Sequence, residues 1–371
     1  MKQYDLAVVG AGILGLAHAL IARRAGKSVV VLDRDNQANG ASIRNFGFVT
    51  VTGQQSGAIW RHARRSRDIW AEVAPAAGIE ALHQGLVVTA QRPEAEAVLD
   101  AFLQTEMGEG CRRLTAGEAG AISPALRAGN IRSALYSPHE IRVESRSAIP
   151  ALAAWLRAEG VDFLWNTTVQ NVQTPKVETS SGVIEAAKVV VCPGDDFTTL
   201  FSDRIAARDV TRCKLHMLRL TPETPLQLGA AVMSDLSLVR YLGYAELPEA
   251  QALKQVIEAE QPEYLSNGVH LIAVQSADGS LVVGDSHHYA ATPDPFQPAA
   301  VDTLIAAEFD RVIATGGFSI TDRWIGTYAS SDAQTYFADA PDDDTRLVIV
   351  TAGCGASTAF SIAEETLATL F

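Results

Sequence analysis

Apolar and polar positions divide the chain into stretches of helical and strand period. Residues 6–9 are a short apolar run that reads as a buried strand, 16–24 continue at helical spacing, and 28–32 are a second apolar strand. Residues 60–74 read as a helix whose Arg61, Arg64, Arg65 and Arg67 form a solvated face. Between 80 and 140, short strands such as 85–90 alternate with helices such as 93–107, the pattern of a separate layer inserted into the first unit. An amphipathic helix at 145–159 leads to strands at 161–164, 169–172 and 188–192. From 211 the alternation is that of antiparallel strands, at 214–220, 239–242, 268–274 and 281–285, interrupted by helices at 249–260 and about 298–313. The chain closes with an apolar strand at 346–351, a glycine-rich turn, and a helix from about 359 to 370.

The order of elements predicts an α/β fold. A Rossmann-type dinucleotide-binding domain, a parallel sheet with helices, is expected from 1–80, 141–210 and 321–371, and a substrate domain on a mixed, largely antiparallel sheet from 81–140 and 211–320. The first turn carries the chemistry. Gly10, Gly12 and Gly15 form G-x-G-x-x-G with Ala11, Ile13 and Leu14 between them: one glycine for the sharp turn, one for backbone approach to a pyrophosphate, one for close helix–strand packing. The helix start offers free N–H groups to phosphates, and Asp33 ends the second strand where a ribose hydroxyl pair needs an acceptor. A signal peptide or membrane helix over 6–22 is excluded by the three glycines, the short length and the lack of an ordered cationic region and cleavage site.

Composition narrows the partners. The 371 residues suffice for two domains, and 47% hydrophobic with 20% charged is ordinary soluble globular composition. A formal charge of -13 repels phosphate backbones, so neither nucleic acid nor a membrane surface is an expected partner. Cys111, Cys192, Cys213 and Cys354 form no C-x-x-C pair; a zinc site and a disulfide framework are not expected, no metal is expected, and a reducing cytoplasm suits the chain.

Two further segments look built for a ligand. The loop 39–50, rich in small and polar residues, stands where another helix would be expected, with Ser42 and Asn45 as hydrogen-bonding groups and Gly47 for close approach. The second strand–glycine–helix unit, with Gly353 and Gly355, lies at the opposite end of the sequence from the first, and Gly194 follows the strand that returns to the first sheet. No second G-x-G-x-x-G of comparable quality occurs in 140–200, which disfavours hydride exchange with a nicotinamide.

Together with residues 323–328, RWIGTY, these segments resemble the glycine oxidase, sarcosine oxidase and D-amino-acid oxidase family of flavin enzymes. The resemblance implies FAD. The adenosine diphosphate half would lie on Gly10 to Gly15, Asp33 and Arg34, with adenine beside Val169, and Gly194 close to the ligand. The flavin ring would lie between Arg44, Asn45, Phe46, Gly47 and the turn Gly353, Cys354, Gly355, Ala356, Ser357, Thr358. Residues 327–332 contain no cysteine where sarcosine oxidases tether the flavin, so non-covalent FAD is implied. Tyr328 stands where the family's amino-acid oxidases place an arginine for the substrate carboxylate, which argues against a simple amino acid.

The activity implied is oxidation of a C–H bond beside an amine nitrogen, giving an imine that hydrolyses to a carbonyl compound and an amine, with dioxygen or another acceptor reoxidising the flavin. A closer resemblance is to a subgroup linked with aminoalkylphosphonate breakdown, whose dianion needs converging donors; Lys214, His216, Arg240, Tyr241, His287, His288 and Arg323 lie on or near the strands of the substrate unit. Arg44 or Lys214 would supply positive charge beside the flavin; with His216 and Tyr328 these are the catalytic candidates, and Tyr241, His287, Arg323 and Tyr328 the substrate candidates. The alternatives are a flavin-dependent 2-hydroxy-acid dehydrogenase, using His216 or His287 as base, and a protein that holds FAD without turnover.

Overall fold

A computed structural model describes residues 3–371. The first part of the chain runs β1 (Gln3–Val9), α1 (Ile13–Arg24), β2 (Val29–Leu32), β3 (Phe48–Val49), α2 (Ala58–Ala76), β4 (His83–Ala90), α3 (Pro93–Phe102), β5 (Arg112–Thr115), α4 (Ala116–Ile122) and β6 (Ser133–Arg142). The middle runs α5 (Ser145–Ala158), β7 (Asp162–Leu164), β8 (Val169–Gln173), β9 (Lys176–Thr179), β10 (Gly182–Val191), α6 (Ser202–Ala206), β11 (Thr211–Pro222), β12 (Ala231–Met233), α7 (Leu242–Ala245), α8 (Ala250–Glu260) and α9 (Pro262–Ser266). The last part is β13 (Ile272–Gln275), β14 (Leu281–Gly284), β15 (His288–Ala290), α10 (Ala299–Val312), β16 (Phe318–Ser330), β17 (Tyr336–Asp342), β18 (Thr345–Val350) and α11 (Gly355–Ala368).

Strands β1 and β2 are apolar because the centre of a parallel sheet is buried on both faces. The first sheet has the order β17-β18-β10-β1-β2-β7, with the β8–β9 hairpin attached to β10. Leu6, Val8, Leu16 and Leu20 pack under helices through Trp70, Leu152 and Phe360; on the other face Ala7, Val30, Leu32 and Val189 pack with Val169, Val177 and Phe337. Parallel register sets Val9 beside both Leu32 and Val191, so β1, β2 and β10 end level, at Gly10, Asp33 and Cys192. A crevice at the carboxyl ends of such strands is where open α/β sheets bind ligands.

The second sheet has the order β15-β11-β14-β13-β12-β4-β6-β3, with β16 paired along β11 and β5 along β6. Residues 321–330, grouped with the first unit in the sequence reading, therefore run in the second sheet, as do Phe48 and Val49, because β16 completes its ladder on β11.

Three elements differ from their sequence patterns. The strand expected at 239–242 is instead a short 3-10 turn, Asp235–Val239, followed by α7. The segment is tied to its surroundings by side chains and a close backbone contact rather than by a ladder: buried Asp235 accepts hydrogen bonds from Gln91 N and Arg92, and Gly243 N donates to Gly53 O. The helix expected at 93–107 stops at Phe102, whose carbonyl accepts the Thr105 hydroxyl at 2.7 Å in place of a continuing helical bond, and resumes only as the turn Glu106–Gly108. The final helix starts earlier than its apolar period, at Gly355, which brings Ala356, Ser357 and Thr358 into its first turn.

Candidate functional site

The phosphate end is shaped by backbone. A Cβ on Gly10, at φ +101, would fall on the Cys192 carbonyl, and one on Gly15 would fall on the Gly10 carbonyl, so strand, turn and helix touch main chain to main chain. Helix α1 starts at Gly12 and α11 at Cys354 with neither a side-chain cap nor an acid in the first turn, which leaves N–H groups for an anion. The two starts converge: a Cβ on Gly355 would meet Ile13 Cγ2 at 3.7 Å. Ser42 Oγ accepts from Ile13 N at 2.9 Å, which sets the 39–50 loop over the mouth of α1. Asp33 accepts from Ala11 N at 2.7 Å and from Asp35 N at 3.0 Å, leaving a second lone pair on each oxygen for a ribose. Two bare helix starts, an acid at the end of β2 and a polar loop between them fit a dinucleotide.

The other expected cofactor residues divide. Asn45 braces the loop, donating to Ala41 O and accepting from Gly47 N; Phe46 is buried beside Gly284, and Arg44 donates to Asn39 while its carbonyl accepts from Trp324 Nε1. Gly194 faces open space. Arg34 pairs with Asp196 at 2.8 Å, and the Val169 side chain lies in the core beneath the sheet. Ser357 Oγ bonds Thr50, Thr358 Oγ1 donates to Cys354 O, and Trp70 Nε1 donates to Ala356 O, so these groups fix α11 in place; Cys354 is buried, which pushes its thiol up to about 11.

Strand alternation sorts the remaining candidates. Along β11 and β16, Cys213 pairs with Tyr328, Leu215 with Gly326 and Met217 with Trp324, and these residues face Phe46 and Trp60. The Tyr328 ring lies 3.0 Å from where a Cβ on Gly353 would sit, so this is the face that meets the start of α11. Lys214, His216 and Arg323 alternate with them and point the other way, the face on which Leu218 and Leu220 pack against α10. There Lys214 Nζ is held by Asp294 at 3.1 Å and Phe296 O at 3.0 Å, His216 lies against His288 with ring centroids 5.2 Å apart, and exposed Arg323 pairs with Asp302 at 2.9 Å. Lys214, His216 and Arg323, expected as catalytic and substrate groups, thus lie on the face away from the start of α11.

His287, by contrast, joins a cluster reached from the Tyr328 face. Arg240 donates to the Tyr289 hydroxyl at 2.6 Å, acts electrostatically on Tyr328 and Asp285, and among the described residues pairs with no carboxylate. Tyr241 sets its ring edge-on to His270 at 5.6 Å. Burial pushes the Tyr328 and Tyr241 hydroxyls up, so both remain protonated donors. Burial alone would raise the Asp285 carboxyl, but the His270 ring bonded to it and the Arg240 guanidinium hold it below the usual carboxylate range. Burial pushes His287 down to about 3, which makes it neutral. Against the expectation of no metal set, ligand atoms of His270, Asp285 and His287 lie within 4.8 Å of one another. His270 and Asp285 escaped the sequence reading because neither stands in a motif; the dipeptide 287–288, with one histidine per sheet face, was the available signal.

Comparison with known proteins follows the same lines. The family model described as DAO, FAD dependent oxidoreductase, matches residues 5–368. A D-amino acid dehydrogenase of Paramagnetospirillum magneticum is 34% identical over 96 residues, 24% of this chain and 23% of that protein. A glycine oxidase of Geobacillus kaustophilus is 25% identical over 206 residues, 52% of this chain and 55% of that one, so these alignments span about a quarter and about half of the relatives' lengths. The crystal structure of L-proline dehydrogenase from P. horikoshii superposes with a TM-score of 0.79 at 18% identity over 98% of this chain and 92% of that one, a likeness of fold. No helix among the described residues is long and apolar enough to cross a membrane.

Proposed function

This chain belongs to the FAD dependent oxidoreductase family, and from that premise we propose that it oxidises a small amine bearing an anionic group, an N-alkylated aminoalkylphosphonate being the substrate class favoured. Gly10 to Gly15, Asp33 and Ser42 hold the adenosine diphosphate half of non-covalent FAD, and Arg44 to Gly47 with Gly353 to Gly355 border its ring. FAD, when bound, supplies the hydride acceptor for the carbon next to nitrogen.

The observation that carries this reading is Arg240. It stands on the sheet face that meets α11, bonded to the neutral Tyr289 hydroxyl, near the Tyr328 hydroxyl and without an ion-pair carboxylate. A guanidinium flanked by phenols is an anion receptor, and it stands in for the arginine missing at position 328. With the anion anchored, the amine is directed toward the Gly353 turn. The apolar side chains packed on that face, Leu215, Met217 and Trp324, would disfavour a charged ammonium beside them and so favour the neutral amine that hydride loss requires. The names of the similar proteins, D-amino acid dehydrogenase and glycine oxidase, support an amino compound as substrate.

The test is an anaerobic visible spectrum of the purified holoprotein, repeated after adding N-methylglycine, glycine, 2-aminoethylphosphonate and its N-methyl derivative in turn. Bleaching by the N-methyl phosphonate and not by N-methylglycine is expected. Bleaching by 2-hydroxy acids alone would replace the amine reading.

A further inference from the structure

The cluster on the far side of Arg240 gathers three side chains that can ligate a metal, His270, Asp285 and His287. His287 Nδ1 is 2.9 Å from Gly268 O, and since a carbonyl only accepts, that nitrogen carries the proton. Ser237 Oγ lies 3.1 Å from both Leu271 O and His270 Nδ1 and fixes the orientation of that ring. Both Nε2 atoms point at one carboxylate: His270 Nε2 is 2.9 Å from Asp285 Oδ1 and His287 Nε2 is 3.8 Å from Asp285 Oδ2. All three side chains are buried, the two rings stacked at 5.3 Å. Two ring nitrogens and a carboxylate oxygen, all within 4.8 Å of one another and away from water, form a donor set of the kind that holds a cation.

We propose that His270, Asp285 and His287 form a mononuclear site for a first-row divalent cation, Zn2+ in the first instance. Ligands about 2.0–2.2 Å from one tetrahedral ion stand about 3.3–3.6 Å apart, and the three ligand atoms here lie within 4.8 Å of one another, a small adjustment from that arrangement. Two imidazoles with a carboxylate suit zinc and its neighbours, and the partners of the Nδ1 atoms, Gly268 O and Ser237 Oγ, are of the kind that orient metal-binding histidines. The ion would tie β14 and the Gly268 turn to the Asp235–Val239 turn that precedes Arg240. Arg240 acts on Asp285 electrostatically and is the charge such an ion must tolerate. The competing cation is a proton on His270, making an imidazolium–carboxylate pair.

The experiment is elemental analysis of the purified holoprotein, then titration calorimetry with Zn2+ after dialysis against a chelator, for the wild type and for His270→Ala, Asp285→Asn and Ser237→Ala. About one Zn2+ per chain is expected in the wild type. The two ligand variants should lose it, and Ser237→Ala, which keeps every ligand, should weaken binding roughly 10–100-fold with flavin absorbance retained. If a ligand variant fails to fold, Ser237→Ala carries the decision. No stoichiometric binding by the wild type, or binding unchanged in Ser237→Ala and in whichever ligand variants fold, overturns the site and leaves the proton in its place.

Discussion

On the proposed reading, Arg240 decides what the site can accept. Replacing it with methionine keeps the length of the side chain and removes the charge; a charge-assisted contact to an anionic group contributes about 2–3 kcal/mol, so kcat/KM for the anionic amine should fall roughly 30–150-fold. The flavin spectrum should be unchanged and a neutral amine of equal size should lose little. Equal losses for both amines would show that Arg240 only supports the fold. Arginine to lysine should recover part of the activity, because the point charge survives and the bidentate fork does not. At this scale the sequence was half legible. Tyr328, Tyr241 and Arg240 could be named as polar groups near strands, but which face each occupied depended on register, and Lys214 and His216 fell on the face away from α11 in a sheet whose alternation is fixed only once β11 meets β16.

Helix starts carry the cofactor end, and their defining contacts are between main chains. Gly15→Ala would drive a methyl group into the Gly10 carbonyl. Overpacking of this kind costs about 1–3 kcal/mol, and here the strain falls where a pyrophosphate must approach. The protein should purify with its flavin absorbance largely lost while its far-ultraviolet circular dichroism persists; retention of full flavin would remove the G-x-G-x-x-G turn from the site. Trp70→Phe acts on the other helix start. It deletes the Nε1 donor to Ala356 O, 2.8 Å away, and keeps most of the ring packing on Phe360. A loss of about 1–2 kcal/mol is expected in urea unfolding, with weaker FAD retention. Both helix starts could be read from glycine spacing, because such turns are local. The turn at Asp235–Val239 could not, since the Arg92 that pairs with Asp235 and the Gly53 that meets Gly243 lie far away in sequence.

Across the whole molecule, folding buries histidines that cannot take a second proton, and this sets the acid limit of stability. His18 donates Nδ1–H to Leu14 O and its Nε2 is buried without a partner; burial lowers its pKa to about 4. His83 accepts from Gln275 N through Nε2, and burial together with the Arg142 guanidinium lowers it to about 3. An unfolded histidine titrates near 6.5, so above that pH both states are neutral and these groups contribute no slope. Below it the unfolded chain gains protons that the folded chain refuses. Stability is then lost as pH falls from about 6.5 toward the folded values, at a limiting slope of about 1.4 kcal/mol per pH unit for each histidine. Between pH 7.5 and pH 5 the pair should account for about 4 kcal/mol, a window in which unperturbed carboxylates remain ionised. Urea midpoints of the wild type at the two pH values measure the fall. His18→Gln and His83→Gln should each reduce it by about 2 kcal/mol, whatever the variant does to stability at pH 7.5. A fall of the same size in both variants would mean that the acid sensitivity arises elsewhere, and His216 and His287, lowered to about 4 and about 3, would be the next pair to replace.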